Sequence, residues 1–230
     1  MIAIGFDFDH TLGVDNGLER KAMYAYAAEL HRPLDPHDPT WLARINELLA
    51  NFRAGDMTMD DMLARFTTAL AADTPPNADR WRDICYSLVD PLVRPIDHAR
   101  ELLTTLQARA IPTAVLTNGW TPLQQKKIAR ALGPDIASTI PILVSDALHA
   151  YKPDPAAFAA LADTLRTPRQ HTWYVGDNPR GDIAGALAAG LRAAWFDWEN
   201  VSYPQDVPPP TLRITSLREL ETLAENTIAP

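Results

Sequence analysis

The 230-residue chain predicts an α/β fold: a mainly parallel sheet with a bundle of helices inserted into it. Three observations carry this reading. Short runs rich in β-branched and aromatic residues recur, each followed by turn residues and a stretch of helical period, the alternation that builds βαβ units. None of the runs alternates cleanly with polar residues, as expected of strands covered on both faces. Between the first run and the second lie about a hundred residues, where a βαβ crossover needs a few tens.

Taken in order, the first strand is read over Ile2 to Phe8. The long connection then holds four stretches of helical period, Leu18 to Leu30, Trp41 to Phe52 with Leu42, Ile45, Leu48 and Leu49 on one stripe, Met57 to Leu70, and Trp81 to Leu92. Pro- and Asp-rich breaks such as Arg32-Pro33-Leu34-Asp35-Pro36 and Asp73-Thr74-Pro75-Pro76 separate them. Further strands are expected at Thr113 to Thr117, Ile140 to Val144, Trp173 to Val175, Ala193 to Trp198 and, more weakly, Leu212 to Thr215. The intervening helices begin at Thr121-Pro122, Asp154-Pro155 and Asn178-Pro179, each read as an N-cap followed by proline in the first turn. Gly133 and Gly190 close the first and last of these helices. The domain division is therefore residues 1–13 and 94–230 for the core and 14–93 for the insertion.

Composition narrows the function classes. With 47% hydrophobic residues the chain can form a core, and 21 Lys+Arg against 29 Asp+Glu give a net charge of −8 without a basic block. That argues against an electrostatic grip on a nucleic acid polymer or an anionic membrane, so any phosphate must be held locally. The single cysteine, Cys85, can form neither an intramolecular disulfide nor by itself a zinc site, and is expected to be a buried packing residue. No apolar run approaches the ~20 residues of a membrane span, and Met1 leads into Ile2-Ala3-Ile4 without a basic segment. The expected location is cytoplasmic.

The sharpest chemical signal is Asp7-Phe8-Asp9-His10-Thr11-Leu12, two carboxylates two residues apart at the end of a buried strand. Residues i and i+2 of a strand point the same way, so the pair can converge on one ligand. Like charges this close are costly without a cation or a shared proton. Thr117-Asn118-Gly119 follows the second strand, Tyr151-Lys152-Pro153-Asp154-Pro155 the third, and Gly176-Asp177-Asn178-Pro179-Arg180-Gly181-Asp182 the fourth. Turn chemistry, a solvated lysine or helix N-terminal charge explains each singly. Together they stand where open α/β sheets bind ligands.

In these four motifs the chain resembles the haloacid dehalogenase superfamily of hydrolases, whose pattern is D-x-D-x-T or D-x-D-x-V, a strand ending in Thr or Ser, a Lys, and G-D-x-x-x-D or G-D-x-x-x-x-D. The resemblance implies a Rossmann-like parallel core of strand order 3-2-1-4-5 and makes the insertion similar to the helical cap of subclass I members. It implies that Asp7 is a nucleophile forming an aspartyl-phosphate, Asp9 the general acid/base, Thr117 and Asn118 phosphate ligands, and Lys152 the neutralising cation. Mg²⁺ would be held by the Asp7 carboxylate, the Asp9 main-chain carbonyl and Asp177, with Asp182 supporting them. The activity implied is hydrolysis of a small phosphorylated metabolite. A carboxylate attacking a phosphate dianion needs charge cancellation, which a hard cation with oxygen ligands provides.

Alternatives are a dehalogenase, which needs no acid for a halide leaving group and so no Asp9, a phosphomutase, and a phospho-accepting signalling module. In the last, the acceptor Asp ends a middle strand rather than the first. Thr11 is expected to stiffen its loop by bonding the backbone, and His10 to be a turn residue. His149-Ala150-Tyr151 stands where the family often has glycine. His31, His37, His98 and His171 lie at element edges, and Trp120 is read as packing or lining the mouth. In the insertion, Asp15, Asn16, Arg20 and Arg53 are either contacts to a leaving group or a solvated face.

Overall fold

The computed structural model describes residues 2–225. The chain divides into two compact units, one comprising the residues up to Val14 and from Arg94 onward, the other Asp15–Val93. The first unit opens with β1 (Ala3–Phe6) and the short β2 (Gly13–Val14). The chain returns to it at β3 (Arg94–Pro95), which pairs antiparallel with β2. Next come α5 (Ala99–Ala108), β4 (Thr113–Thr117), α6 (Thr121–Leu132), α7 (Pro134–Ala137), β5 (Ile142–Val144), α8 (Ser145–Leu148) and α9 (Pro155–Leu165). β6 (Thr172–Gly176) leads through a π-helical turn, Pro179–Ala184, into α10 (Gly185–Ala188). β7 (Arg192–Phe196), β8 (Leu212–Ile214) and α11 (Glu219–Glu225) complete it. The second unit consists of α1 (Leu18–Glu29), α2 (Pro39–Ala54), α3 (Met59–Ala69) and α4 (Ala78–Leu92).

The sheet is wholly parallel, in the order β5-β4-β1-β6-β7-β8. This is the expected 3-2-1-4-5 arrangement with a sixth strand added at one edge. Both faces are covered. Ala3, Ala114, Leu116, Tyr174, Ala193 and Trp195 pack with Ala157, Phe158 and Leu161 of α9 and with Ala186 of α10, while the alternate residues Ile4, Phe6, Val115, Val175 and Ala194 are equally buried. Phe158 meets Tyr174 edge to face with ring centroids 5.1 Å apart. In register, Phe6 lies opposite Val115 and Val175, so the carboxyl ends of the three central strands come level.

Several boundaries differ from the sequence reading. The first strand stops at Phe6, not Phe8, because the Phe8 carbonyl is taken up by a tight turn that accepts from the backbone N–H groups of Thr11, Leu12 and Gly13 at 3.2, 3.0 and 2.9 Å. The fifth expected strand ends at Phe196 rather than Trp198, and the third starts at Ile142 rather than Ile140. Thr121 is not an N-cap. Trp120 occupies that position without a side-chain bond, and Asp146 caps the helix from outside, accepting from the Thr121 backbone N–H at 2.8 Å and from its hydroxyl. Asp154 and Asn178 do cap as expected, accepting from Ala156 N and from Arg180 and Gly181 N. The β2–β3 pair has no sequence signal, since two residues per strand are too few for a period.

The helical unit is amphipathic and packs its own core. Leu18, Met23, Ile45, Leu49, Met62, Leu63, Phe66, Trp81, Cys85 and Val89 are all buried. Thr58 and Asp61 form a reciprocal capping box that starts α3 at Met59, two residues later than the pattern suggests. Arg53 is held by Glu19 (2.7 Å), Asn16 donates to the Leu92 carbonyl (2.6 Å), and Asp15 accepts from Gly17 N (2.9 Å). These contacts give Arg53, Asn16 and Asp15 structural work inside their own unit. Among the described residues no helix is long and apolar enough to cross a membrane.

Candidate active site

The three central strand ends place Asp7, Thr117 and Asp177 side by side. Asp7 continues the β1–β6 ladder by one bond, its N–H donating to the Val175 carbonyl at 2.8 Å. Lys152 reaches in from the loop before α9, and its ammonium donates to Asp7 Oδ1 (2.5 Å), Asp182 Oδ1 (2.8 Å) and the Tyr174 hydroxyl (2.9 Å). Three N–H bonds meet three acceptors, so the buried cation is saturated. The Tyr174 hydroxyl donates in turn to the Leu116 carbonyl at 2.7 Å, which fixes the phenol beneath the lysine. The main chain of Lys152 is fixed too: its N–H donates to Asn118 Oδ1 (2.9 Å) and its carbonyl accepts from Asn118 Nδ2 (3.0 Å). The sequence reading groups Asn118 with phosphate binding. Both ends of its side-chain amide bond the backbone of Lys152, so that side chain positions the lysine loop.

Asp7 and Asp9 do not converge on one partner. The strand has ended before them, so the i, i+2 rule no longer applies, and the Asp9 carboxylate turns to α6. Its Oδ2 accepts from Gln124 Nε2 at 2.9 Å, and Lys127 Nζ lies 2.5 Å from Oδ1. The latter is an ion pair without hydrogen-bond alignment, since Oδ1 carries no hydrogen bond. Gln124 Nε2 also reaches Thr117 Oγ1 (2.8 Å) and the Asn118 carbonyl (2.9 Å). Gln124, Lys127 and Tyr174 were not singled out from the sequence. From the sequence the first two read as ordinary polar helix positions; in the structure 124, 127, 128 and 131 form one buried helical stripe, two of whose four residues are polar.

Asp7, Asp177 and Asp182 can bring one carboxylate oxygen each within 4.8 Å of the others. Burial, reinforced by Asp182 and Asp9 against the pull of Lys152, raises the Asp7 carboxyl to about 7. Burial together with the charges of Asp182 and Asp7 raises Asp177 to about 9. Four carboxylates, Asp9 included, thus face two buried ammonium groups, Lys152 and Lys127. The deficit of two positive charges is what a single divalent cation with oxygen ligands neutralises, so the residues present fit Mg²⁺. Asp182 is the most constrained of the cluster, because its second oxygen accepts from Asn178 N at 3.0 Å. Its approach requires Gly176, where a Cβ would stand 2.3 Å from Asp182 Oδ2. Gly176→Ala is expected to destabilise the protein by about 1–3 kcal/mol, the usual cost of overpacking. An unchanged urea midpoint would show that Asp182 is not pinned.

The remaining expectations resolve locally. His10 is a turn residue in the left-handed region (φ 64°), stacked on Trp198 at 6.0 Å. His149 also takes that region (φ 51°), which explains how the loop before Lys152 does without glycine. Thr11 does not bond its backbone, for its hydroxyl is buried without a partner among the described residues. Trp120 is 6% exposed and packs. His31 and His98 sit at helix boundaries with positive φ.

A family model described as haloacid dehalogenase-like hydrolase matches residues 2–190. Phosphoserine phosphatase of Thermus thermophilus is 34% identical over 124 residues, covering 53% of this chain and 48% of the relative, so the chain spans about half the length of that protein. The HAD-hydrolase YfnB of Bacillus subtilis is 27% identical over 240 residues, 97% of this chain and 96% of its own. Its crystal structure, with magnesium bound, superposes with a TM-score of 0.74 at 23% identity over 96% of this chain and 97% of that one. A 2-haloacid dehalogenase of Pseudomonas syringae shares the fold equally (TM-score 0.70, 23% identity, 99% and 100% covered). With the four motifs gathered at one sheet edge and the family model covering most of its length, the chain belongs to the haloacid dehalogenase-like hydrolases.

Proposed function

We propose that this hydrolase cleaves phosphomonoesters of small metabolites through an aspartyl-phosphate on Asp7. The observation that carries the reading is the second carboxylate. Asp9 is held at the sheet edge by Gln124 and Lys127, with its side chain 29% exposed while that of Lys127 is 3% exposed. A departing alkoxide needs a proton, and a departing halide does not, so a presented carboxylate beside the nucleophile has work in phosphate ester cleavage and none in dehalogenation. The names of the relatives include both chemistries, and Asp9 favours the first.

In this reading an Asp7 carboxylate oxygen attacks phosphorus, the P–O bond to the leaving group breaks, and Asp9 gives its proton to the departing oxygen. Water then attacks the phosphorus of the aspartyl-phosphate while Asp9 takes its proton. The bond to Asp7 breaks and phosphate leaves. Lys152 neutralises charge on Asp7 and on the transferred group, and Thr117 bonds its oxygens. Asp7, Asp177 and the Asp9 carbonyl would hold Mg²⁺, with Asp182 behind them, and the ion supplies cancellation of the phosphate charge. The test is a parallel assay with Mg²⁺ present, measuring phosphate release from a panel of small phosphomonoesters and halide release from 2-haloacids. Phosphate release is expected, and halide release without it overturns the reading.

A further inference from the structure

We infer that Lys127 and Gln124 are positioning residues that hold the Asp9 carboxylate in the orientation from which it exchanges protons, an inference that rests on the acid/base reading of Asp9. Each is 2% exposed. A buried ammonium and a buried amide are costly unless partnered, and an apolar residue at either position would pack the same helix face without that cost. What both reach is Asp9, one on each oxygen.

The arrangement is built around that contact. Spaced three apart, the two side chains leave α6 on one face. The helix is anchored at its start by Asp146 of α8, the short helix after β5, which fixes the height at which both arrive. Lys127 lies over the Phe8 ring at 5.7 Å, a floor one residue from Asp9 itself. Gly119, at φ 138°, lets the next loop close against Gln124, where a Cβ would stand 3.1 Å from its Cγ. The Gln124 amide has two hydrogens for three acceptors, Asp9 Oδ2, Thr117 Oγ1 and the Asn118 carbonyl. One side chain thereby ties the proton-carrying carboxylate to the hydroxyl that faces the transferred group. Within the pair the cation is enclosed, its side chain 3% exposed, and the carboxylate is left open on one side, its side chain 29% exposed.

The experiment compares phenyl phosphate with p-nitrophenyl phosphate, esters of similar shape whose leaving groups differ in their need for a proton. Wild type, Lys127→Met, Gln124→Leu, Asp9→Asn and the double variant Asp9→Asn/Lys127→Met are assayed as full-length protein with Mg²⁺. Each positioning variant is expected to lower kcat/KM on phenyl phosphate about tenfold more than on p-nitrophenyl phosphate, a fraction of what general acid catalysis contributes. In the Asp9→Asn background, adding Lys127→Met should shift that ratio less than about twofold, because the group it acts through is gone. Equal losses on both esters, with Asp9→Asn still discriminating between them, mean that Lys127 and Gln124 only support the fold and overturn the inference. If Asp9→Asn itself does not discriminate, the acid/base reading falls and this inference with it. Should Lys127→Met fail to fold, Gln124→Leu decides alone by the same ratio.

Discussion

Asp7→Asn is expected to lower phosphate release by roughly 10⁴–10⁶-fold, the scale on which covalent catalysts lose activity without their nucleophile. The side chain keeps its shape, and Lys152 retains Asp182 and Tyr174 as acceptors. The fold should therefore survive: the substitution removes a buried charge whose carboxyl is already raised to about 7. What disappears is the attacking oxygen. Intact-mass measurement after mixing with p-nitrophenyl phosphate should show no added phosphate. Asp9→Asn is the informative contrast, since it should still take up phosphate from this activated ester and release it slowly, so that the adduct persists. A phosphate adduct on Asp7→Asn protein would remove Asp7 from the nucleophile's place, whatever its distance from Lys152.

The two aspartates also mark how far the sequence could be read. Strand-end chemistry is local: Asp7, Thr117, Lys152 and Asp177 each follow an apolar run, and the parallel order of those runs brings them to one edge. That much needs only period and punctuation. The direction in which Asp9 turns depends on where the strand stops, and it stops at Phe6 because the Phe8 carbonyl is claimed by a turn of three N–H groups. No propensity argument places that boundary to within two residues. Gln124 and Lys127 read as ordinary polar positions until α6 is rotated against the sheet, and only then does the buried stripe contain an amide and an ammonium. Tyr174 reads as one more aromatic in a buried strand, and its hydroxyl acquires meaning from Lys152, 22 residues away in sequence. The capping of α6 by Asp146 is likewise a tertiary contact, 25 residues distant, that no N-cap rule anticipates. What was hidden is thus the set of second partners, those that hold the recognisable residues.

Removing divalent cations should silence the enzyme by at least about 10³-fold, comparable to or beyond the loss of a preorganised electrostatic contact, and Mg²⁺ should restore it better than Ca²⁺, which favours higher coordination numbers. The same cluster makes a prediction that does not depend on turnover. Unfolded carboxyls titrate near 4, whereas folded, cation-free Asp7 and Asp177 titrate at about 7 and about 9. Between those values the folded state binds more protons than the unfolded one, so stability falls as pH rises. The contribution is fully present below the unfolded value and is lost as pH passes through 7 and then 9. A divalent cation competes with those protons, so it binds more tightly as they leave. At a hundred times its dissociation constant it adds about 2.7 kcal/mol, or roughly 5–10 °C in Tm for a chain of this size. The Tm of chelated protein should therefore decline from pH 6 to pH 9, and the rise on adding Mg²⁺ should be larger at pH 9 than at pH 6. Asp177→Asn should flatten both trends, because it removes the group with the larger shift and a carboxylate ligand together. A Mg²⁺-induced rise that is equal at both pH values, or that survives intact in Asp177→Asn, would place the ion somewhere other than this sheet edge.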